Sequence, residues 1–125
     1  MAAHFTDREL DVMKILWRDG PATVAEVRSR LDDDLAYTTV LTVLRTLEEK
    51  TFVGHRDEGK AHRYYAKVAE ETARRTALAR MIDRVFGGSA ELLLAQLVAD
   101  RELSARELKR LRSLMTPSLK RGRKP

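Results

Sequence analysis

The 125-residue chain contains no cysteine. That excludes a disulfide, a thiolate metal site, a thiol redox switch and a cysteine nucleophile, and leaves three histidines as the strong nitrogen ligands. No stretch approaches the roughly 20 consecutive apolar residues that span a bilayer. The opening MAAHFTDREL also lacks the basic-then-apolar order of a signal peptide, so a cytoplasmic protein is expected. Gly-rich phosphate loops are missing, as is a His/Asp/Glu set at metal spacing. The carboxylates fall at capping positions or on polar helix faces, so the chain reads as a non-enzyme without a cofactor.

Negative charge is also short. The net charge is +5 at a pI near 9.8, which points toward a polyanionic partner. The excess is uneven: residues 1–67 hold 11 Lys+Arg against 12 Asp+Glu, and residues 68–125 hold 13 against 7. Lys120, Arg121, Arg123 and Lys124 account for part of it, in a segment from residue 117 onward that has little to bury and is expected to be a disordered basic tail.

The residues present are mostly helix signals. Thr6-Asp-Arg-Glu9 and Thr23-Val-Ala-Glu26 are capping boxes, each followed by apolar residues at helical spacing. The first helix carries Leu10, Met13, Leu16 and Trp17 and stops at Asp19-Gly20-Pro21; the second carries Val24, Val27 and Leu31 and ends in Asp32-Asp33-Asp34. A third runs from Ala36 or Tyr37 to Lys50 on the stripe Val40, Leu44 and Leu47. TFVGHRD and AHRYYA then have strand character around the turn Glu58-Gly59-Lys60. This order predicts a mostly α protein with a small β-hairpin, a winged helix-turn-helix over residues 1–67.

Residues 68–116 return to helix. One segment over about 69–86 carries Leu78, Met81, Ile82, Val85 and Phe86 and closes at Gly87-Gly88. Ser89 caps a fifth helix with Leu92, Leu93, Leu94, Leu97 and Val98, and Ser104-Ala-Arg-Glu107 caps a sixth with Leu108 and Leu111. The fifth is apolar over too wide an arc for its neighbours alone to cover. A three-helix dimerisation region is expected, with Leu78, Ile82, Val85, Leu93, Leu94, Leu97, Val98, Leu108 and Leu111 at its contacts.

The third helix raises the functional question. Its polar side holds Thr38, Thr39, Thr42, Arg45 and Thr46, although β-branched threonine is a poorer helix former than Lys, Glu or Gln. In a helix-turn-helix this element enters the major groove, where a threonine hydroxyl can bond bases or phosphates and its methyl can pack on thymine. Arg45 would reach a guanine edge or a flanking phosphate. Tyr37 would contact phosphate or pack on the second helix. Arg56, Lys60, His62 and Arg63 place positive charge along the hairpin, as a wing lying on the DNA backbone requires. His55 and His62 flank this hairpin, but neither has a Cys, Asp or Glu at ligand spacing, so no metal is expected. Whether the two share a face depends on turn register.

The stretches GPATVAEVRSRL, LAYTTVLTVLRTLEEK, AHRYYAKV, IDRVFGGSAELLLAQLV and LSARELKRLRSLM, in order from about Thr6 to Met115, resemble the penicillinase repressor (BlaI/MecI/CopY) family. The resemblance implies a homodimeric transcriptional repressor on an inverted-repeat operator of double-stranded DNA, with Thr38, Thr39 and Thr42 on the recognition helix and Arg63 and Tyr64 on the wing. It also implies a membrane-bound sensor metalloprotease as a partner. The chain departs from the family pattern in three places. Thr51 stands where many relatives have glycine, Gln96-Leu97 stands where β-lactam-responsive members present an Asn-Phe cleavage pair, and the C-terminal cysteines of the copper-responsive branch are absent. The alternative is a winged-helix module for protein interaction or assembly, without sequence-specific DNA binding.

Overall fold

The computed structural model describes residues 4–100 and 103–122, with side chains as far as residue 114. It divides into two compact units, Met1–Arg80 and Met81–Pro125. The first unit contains α1 (Asp7–Asp19), β1 (Ala22–Thr23), α2 (Val24–Arg30), α3 (Tyr37–Glu49), β2 (Val53–Glu58) and β3 (Ala61–Ala66). The start of α4 (Glu70–Val85) belongs to it as well. It therefore extends past the boundary expected after residue 67. Two contacts explain the difference: Trp17 Nε1 donates to the Val68 carbonyl at 2.8 Å, and Ala73 in the first turns of α4 is buried.

Both predicted capping boxes close. Thr6 and Thr23 each accept from the amide three residues on, while Glu9 and Glu26 reach back to the cap amides. These bonds satisfy amides that a helix start leaves without partners. Three apolar stripes then meet: Val12, Met13 and Leu16 of α1, Val24 and Val27 of α2, and Val40, Leu44 and Leu47 of α3 are all buried, joined by Phe52 just before β2 and by Val53 and Tyr64 from the sheet. Phe5 closes one end, its ring 4.7 Å from Phe52 and edge-on to Trp17.

The sheet has three antiparallel strands in the order β1-β3-β2, not the two of a plain hairpin. The two-residue β1 pairs Ala22 with Tyr64 and Thr23 with Arg63. Across the hairpin, Gly54 faces Tyr65, His55 faces Tyr64, Arg56 faces Arg63 and Asp57 faces His62. Because side chains alternate, Val53, His55, Asp57, His62, Tyr64 and Ala66 share one face, and Gly54, Arg56, Glu58, Ala61, Arg63 and Tyr65 the other. Tyr65 lies across Gly54, where an added Cβ would sit 2.7 Å from its hydroxyl, so this strand position admits only glycine without displacing the ring.

Helix α3 ends in a Schellman motif. The Phe52 amide donates to the Leu47 carbonyl at 3.0 Å and the Thr51 amide to Glu48 at 2.9 Å. The residue between helix and strand must be left-handed, and Thr51 adopts φ 68°, the one described non-glycine with positive φ.

The second unit holds the end of α4, α5 (Ala90–Asp100) and α6 (Ala105–Gly122). Gly87 and Gly88 both take positive φ after α4, and Ser89 Oγ accepts from the Leu92 amide at the start of α5. Ser104 and Glu107 form a third capping box. None of the described side chains from Met81 to Leu114 is buried. The expected disordered tail from residue 117 is helical as far as Gly122. Once a helix is nucleated each added residue gains a bond, and α6 continues past Pro117 although that residue withholds its amide and crowds the carbonyl four residues back. Residues 123–125 of that tail lie outside the described residues.

Candidate nucleic-acid interface

The helix-turn-helix geometry is fixed by charge at its corners. Arg8 Nη1 of α1 bonds Asp33 at 2.7 Å, tying down the acidic turn between α2 and α3. Arg28 Nε donates to the Leu35 carbonyl at 2.7 Å, holding the entrance to α3. At the other end of α3, Lys50 Nζ lies 2.9 Å from Glu9. Burial alone would raise the Glu9 pKa, but the Lys50 ammonium and the Thr6 amide and hydroxyl outweigh it and hold the carboxyl below the usual range.

Fixed in this way, α3 turns one face to the core and the other outward. Tyr37, Thr38, Thr39, Thr42 and Arg45 are exposed and Thr46 is half-buried. The threonines fall into two groups. Thr42 Oγ1 donates to the Thr38 carbonyl at 2.9 Å and Thr46 Oγ1 to the Thr42 carbonyl at 3.0 Å. Their protons are thus used within the helix, and they present an acceptor oxygen and a methyl. The side chains of Thr38 and Thr39, one turn closer to the helix start, form no hydrogen bond among the described residues, and neither does that of Arg45.

The wing differs from expectation in three places. Tyr64, placed on the wing surface by resemblance, is 2% exposed and belongs to the core. It falls on the inward face opposite His55, and of the adjacent tyrosines it is Tyr65 that points away. Arg63 is not a free cation. Its Nε and Nη2 bond both Glu58 oxygens at 2.6 and 2.8 Å, and Nη1 bonds Glu26 at 2.9 Å and the Pro21 carbonyl at 3.2 Å. It braces the hairpin against the start of α2, and Glu58 and then Glu26 hold its guanidinium firmly charged.

His62 directs Nδ1 to Asp57 at 2.9 Å rather than outward. The wing cations left for a phosphate are Lys60, beside the turn glycine and free of hydrogen bonds among the described residues, and Arg56, whose guanidinium stacks 5.6 Å over the Tyr65 ring.

Sequence reasoning missed Asp57 as a partner of both histidines. The ligand atoms of His55, Asp57 and His62 lie within 4.8 Å of one another. The signal was present in the hairpin: with a two-residue turn, positions 57 and 62 become opposite neighbours, and 55 shares their face.

An outward polar helix one short turn after another helix, with a braced hairpin beside it, defines a winged-helix protein of the nucleic-acid-binding kind. The penicillinase repressor family model matches residues 5–117, and the chain belongs to that family. Among its relatives is the transcriptional regulator BlaI of Mycobacterium tuberculosis, 35% identical over 74% of this chain and 84% of that protein. Another is the methicillin resistance regulatory protein MecI of Staphylococcus aureus, 25% identical over 86% and 89%. Two solved structures resemble the chain, each at 27% identity over 58% of this chain and 90% of its own. They are the DNA-binding domain of the repressor BlaI, with a TM-score of 0.52, and Bacillus licheniformis BlaI in monomeric form with the blaP half-operator, with a TM-score of 0.50. No described helix is long and apolar enough to cross a membrane.

Proposed function

We propose that the chain is a transcriptional repressor that binds an inverted-repeat operator as a homodimer in the cytoplasm. Helix α3 enters the major groove, where Thr38 and Thr39 donate to or accept from base edges. Thr42 and Thr46 offer acceptor oxygens and methyls, and Arg45 and Tyr37 reach bases or the flanking backbone. Lys60 and Arg56 hold phosphates from the wing. Glu26 and Glu58 already engage Arg63, which serves to keep the wing in place.

The observation that carries this reading is the exposed threonine face of α3, with the side chains of Thr38, Thr39 and Arg45 left without hydrogen bonds among the described residues. Likeness to a BlaI structure solved with a half-operator supports it. The dimer is inferred chiefly from the second unit, where Val85, Leu94, Leu97, Val98 and Leu108 are exposed and Ile82, Leu93 and Leu111 are half-buried in the single chain, apolar residues suited to contact with a second copy. Leu78, in the part of α4 that belongs to the first unit, is exposed as well.

Fluorescence anisotropy on DNA from the protein's own promoter, against a scrambled duplex, tests the assignment. Thr38→Ala, Thr39→Ala and Thr42→Ala are each expected to cost about 1–3 kcal/mol on the operator and almost nothing on the scrambled duplex. Equal affinity of the parent protein for the two duplexes would overturn it.

A further inference from the structure

We propose that His55, Asp57 and His62 form a binding site for one divalent transition-metal ion of the zinc(II) type on the inner face of the hairpin. The carboxylate of Glu48 in α3 accepts from His55 Nδ1 at 2.6 Å. A carboxylate can only accept, so Nδ1 carries the proton and the lone pair resides on Nε2. That nitrogen lies 4.0 Å from Asp57 Oδ1, and His62 Nδ1 lies 2.9 Å from the same oxygen. Donors around one tetrahedral zinc, bound at about 2.0–2.1 Å, are separated by about 3.3 Å. The two separations from Asp57 bracket that value and all three donors lie within 4.8 Å of one another, so torsions of these exposed side chains bring the three donors to one ion.

The donor set is specific in its chemistry. Two imidazoles and one carboxylate suit zinc or its neighbours in the series, whereas magnesium and calcium favour oxygen donors throughout. The Glu48–His55 pair has the form of an outer carboxylate that fixes tautomer and ring orientation for a metal. The His55 and His62 rings already lie with centroids 4.4 Å apart, against the buried Tyr64 ring. Backbone pairing sets the positions: Asp57 opposes His62 in the ladder and His55 is two residues back on the same strand. Three protein ligands leave a coordination position for water. An ion here would join the wing, through His55 and Glu48, to the last turn of α3.

The test needs no DNA. Zinc chloride titrated calorimetrically into the chelator-stripped, full-length chain is expected to show one ion bound per chain. Asp57→Asn and His62→Gln each alter an exposed side chain and are expected to weaken binding at least 100-fold, with thermal unfolding confirming that both variants fold. Glu48→Gln is expected to weaken it about 10-fold, in keeping with an outer partner. His4→Gln, outside the hairpin, is expected to leave it unchanged. Absence of saturable uptake, retention of full affinity by the Asp57 and His62 variants, or loss on changing His4 alone would overturn the site.

Discussion

The two units use the same local grammar and reach different ends. Thr6, Thr23 and Ser104 all start helices with closed capping boxes, and Gly87 and Gly88 end one. The first unit seals three helices and a sheet around Leu44, Leu47, Met13 and Val53, each no more than 1% exposed. In the second, α5 is the most apolar helix and has no buried residue. Capping and propensity therefore specify helices equally well in both, while only the first finds its core within one chain. In the proposed dimer the second is a half-interface, and its stability is expected to depend on protein concentration.

The comparison breaks most sharply at Leu97. Leu97→Glu would put a carboxylate into the proposed apolar contact and is expected to convert the dimer to monomer in sedimentation experiments while the first unit keeps its unfolding transition. A dimer unchanged by this substitution would show that α5 is not the interface. Leu44→Ala is the mirror case: the fully buried Leu44 lies in a formed core, and its truncation is expected to cost about 2–5 kcal/mol in denaturant unfolding. It should do so at every protein concentration.

Acid offers a gentler probe. Glu9, Glu26 and Glu58 are held below the usual carboxylate pKa. Their contribution is fully present above the unfolded-chain value, near pH 4 to 4.5 for Glu, and is lost as pH falls through the lower folded values. The first unit is therefore expected to lose stability below about pH 4, and Glu9→Gln to flatten that slope. An unchanged slope would remove Glu9 from the account.

The smallest effect is a gain. Thr51 occupies a left-handed position that glycine adopts without steric cost. Thr51→Gly is expected to stabilise the first unit by about 1 kcal/mol, less the extra freedom glycine brings to the unfolded chain.

Near neighbours in the chain were legible before folding; distant partners were not. The capping boxes and the apolar stripe of α3 each depend on residues within a turn or two. Arg63 looked like a free wing cation because one brace, Glu26, lies 37 residues away and the other, Glu58, meets it only through the hairpin register. Tyr64 and Tyr65 are adjacent and chemically alike, so only the strand register decides which is buried. That register also determines whether His55, Asp57 and His62 meet. β1 could not be read because two residues carry no periodicity. Helix past Pro117 is not legible in the sequence because Pro117 and Gly122 are both poor helix formers.

Arg63 has a calorimetric consequence. It holds Glu58 of the hairpin and Glu26 of the α2 cap on one guanidinium, so the wing and the helix-turn-helix approach a duplex as one preformed surface. A protein that must fold a segment on contact shows a heat-capacity change larger than its interface accounts for. Here the heat-capacity change of complex formation is expected to match the contact surface alone, and Arg63→Ala to make it more negative as the freed hairpin orders on DNA.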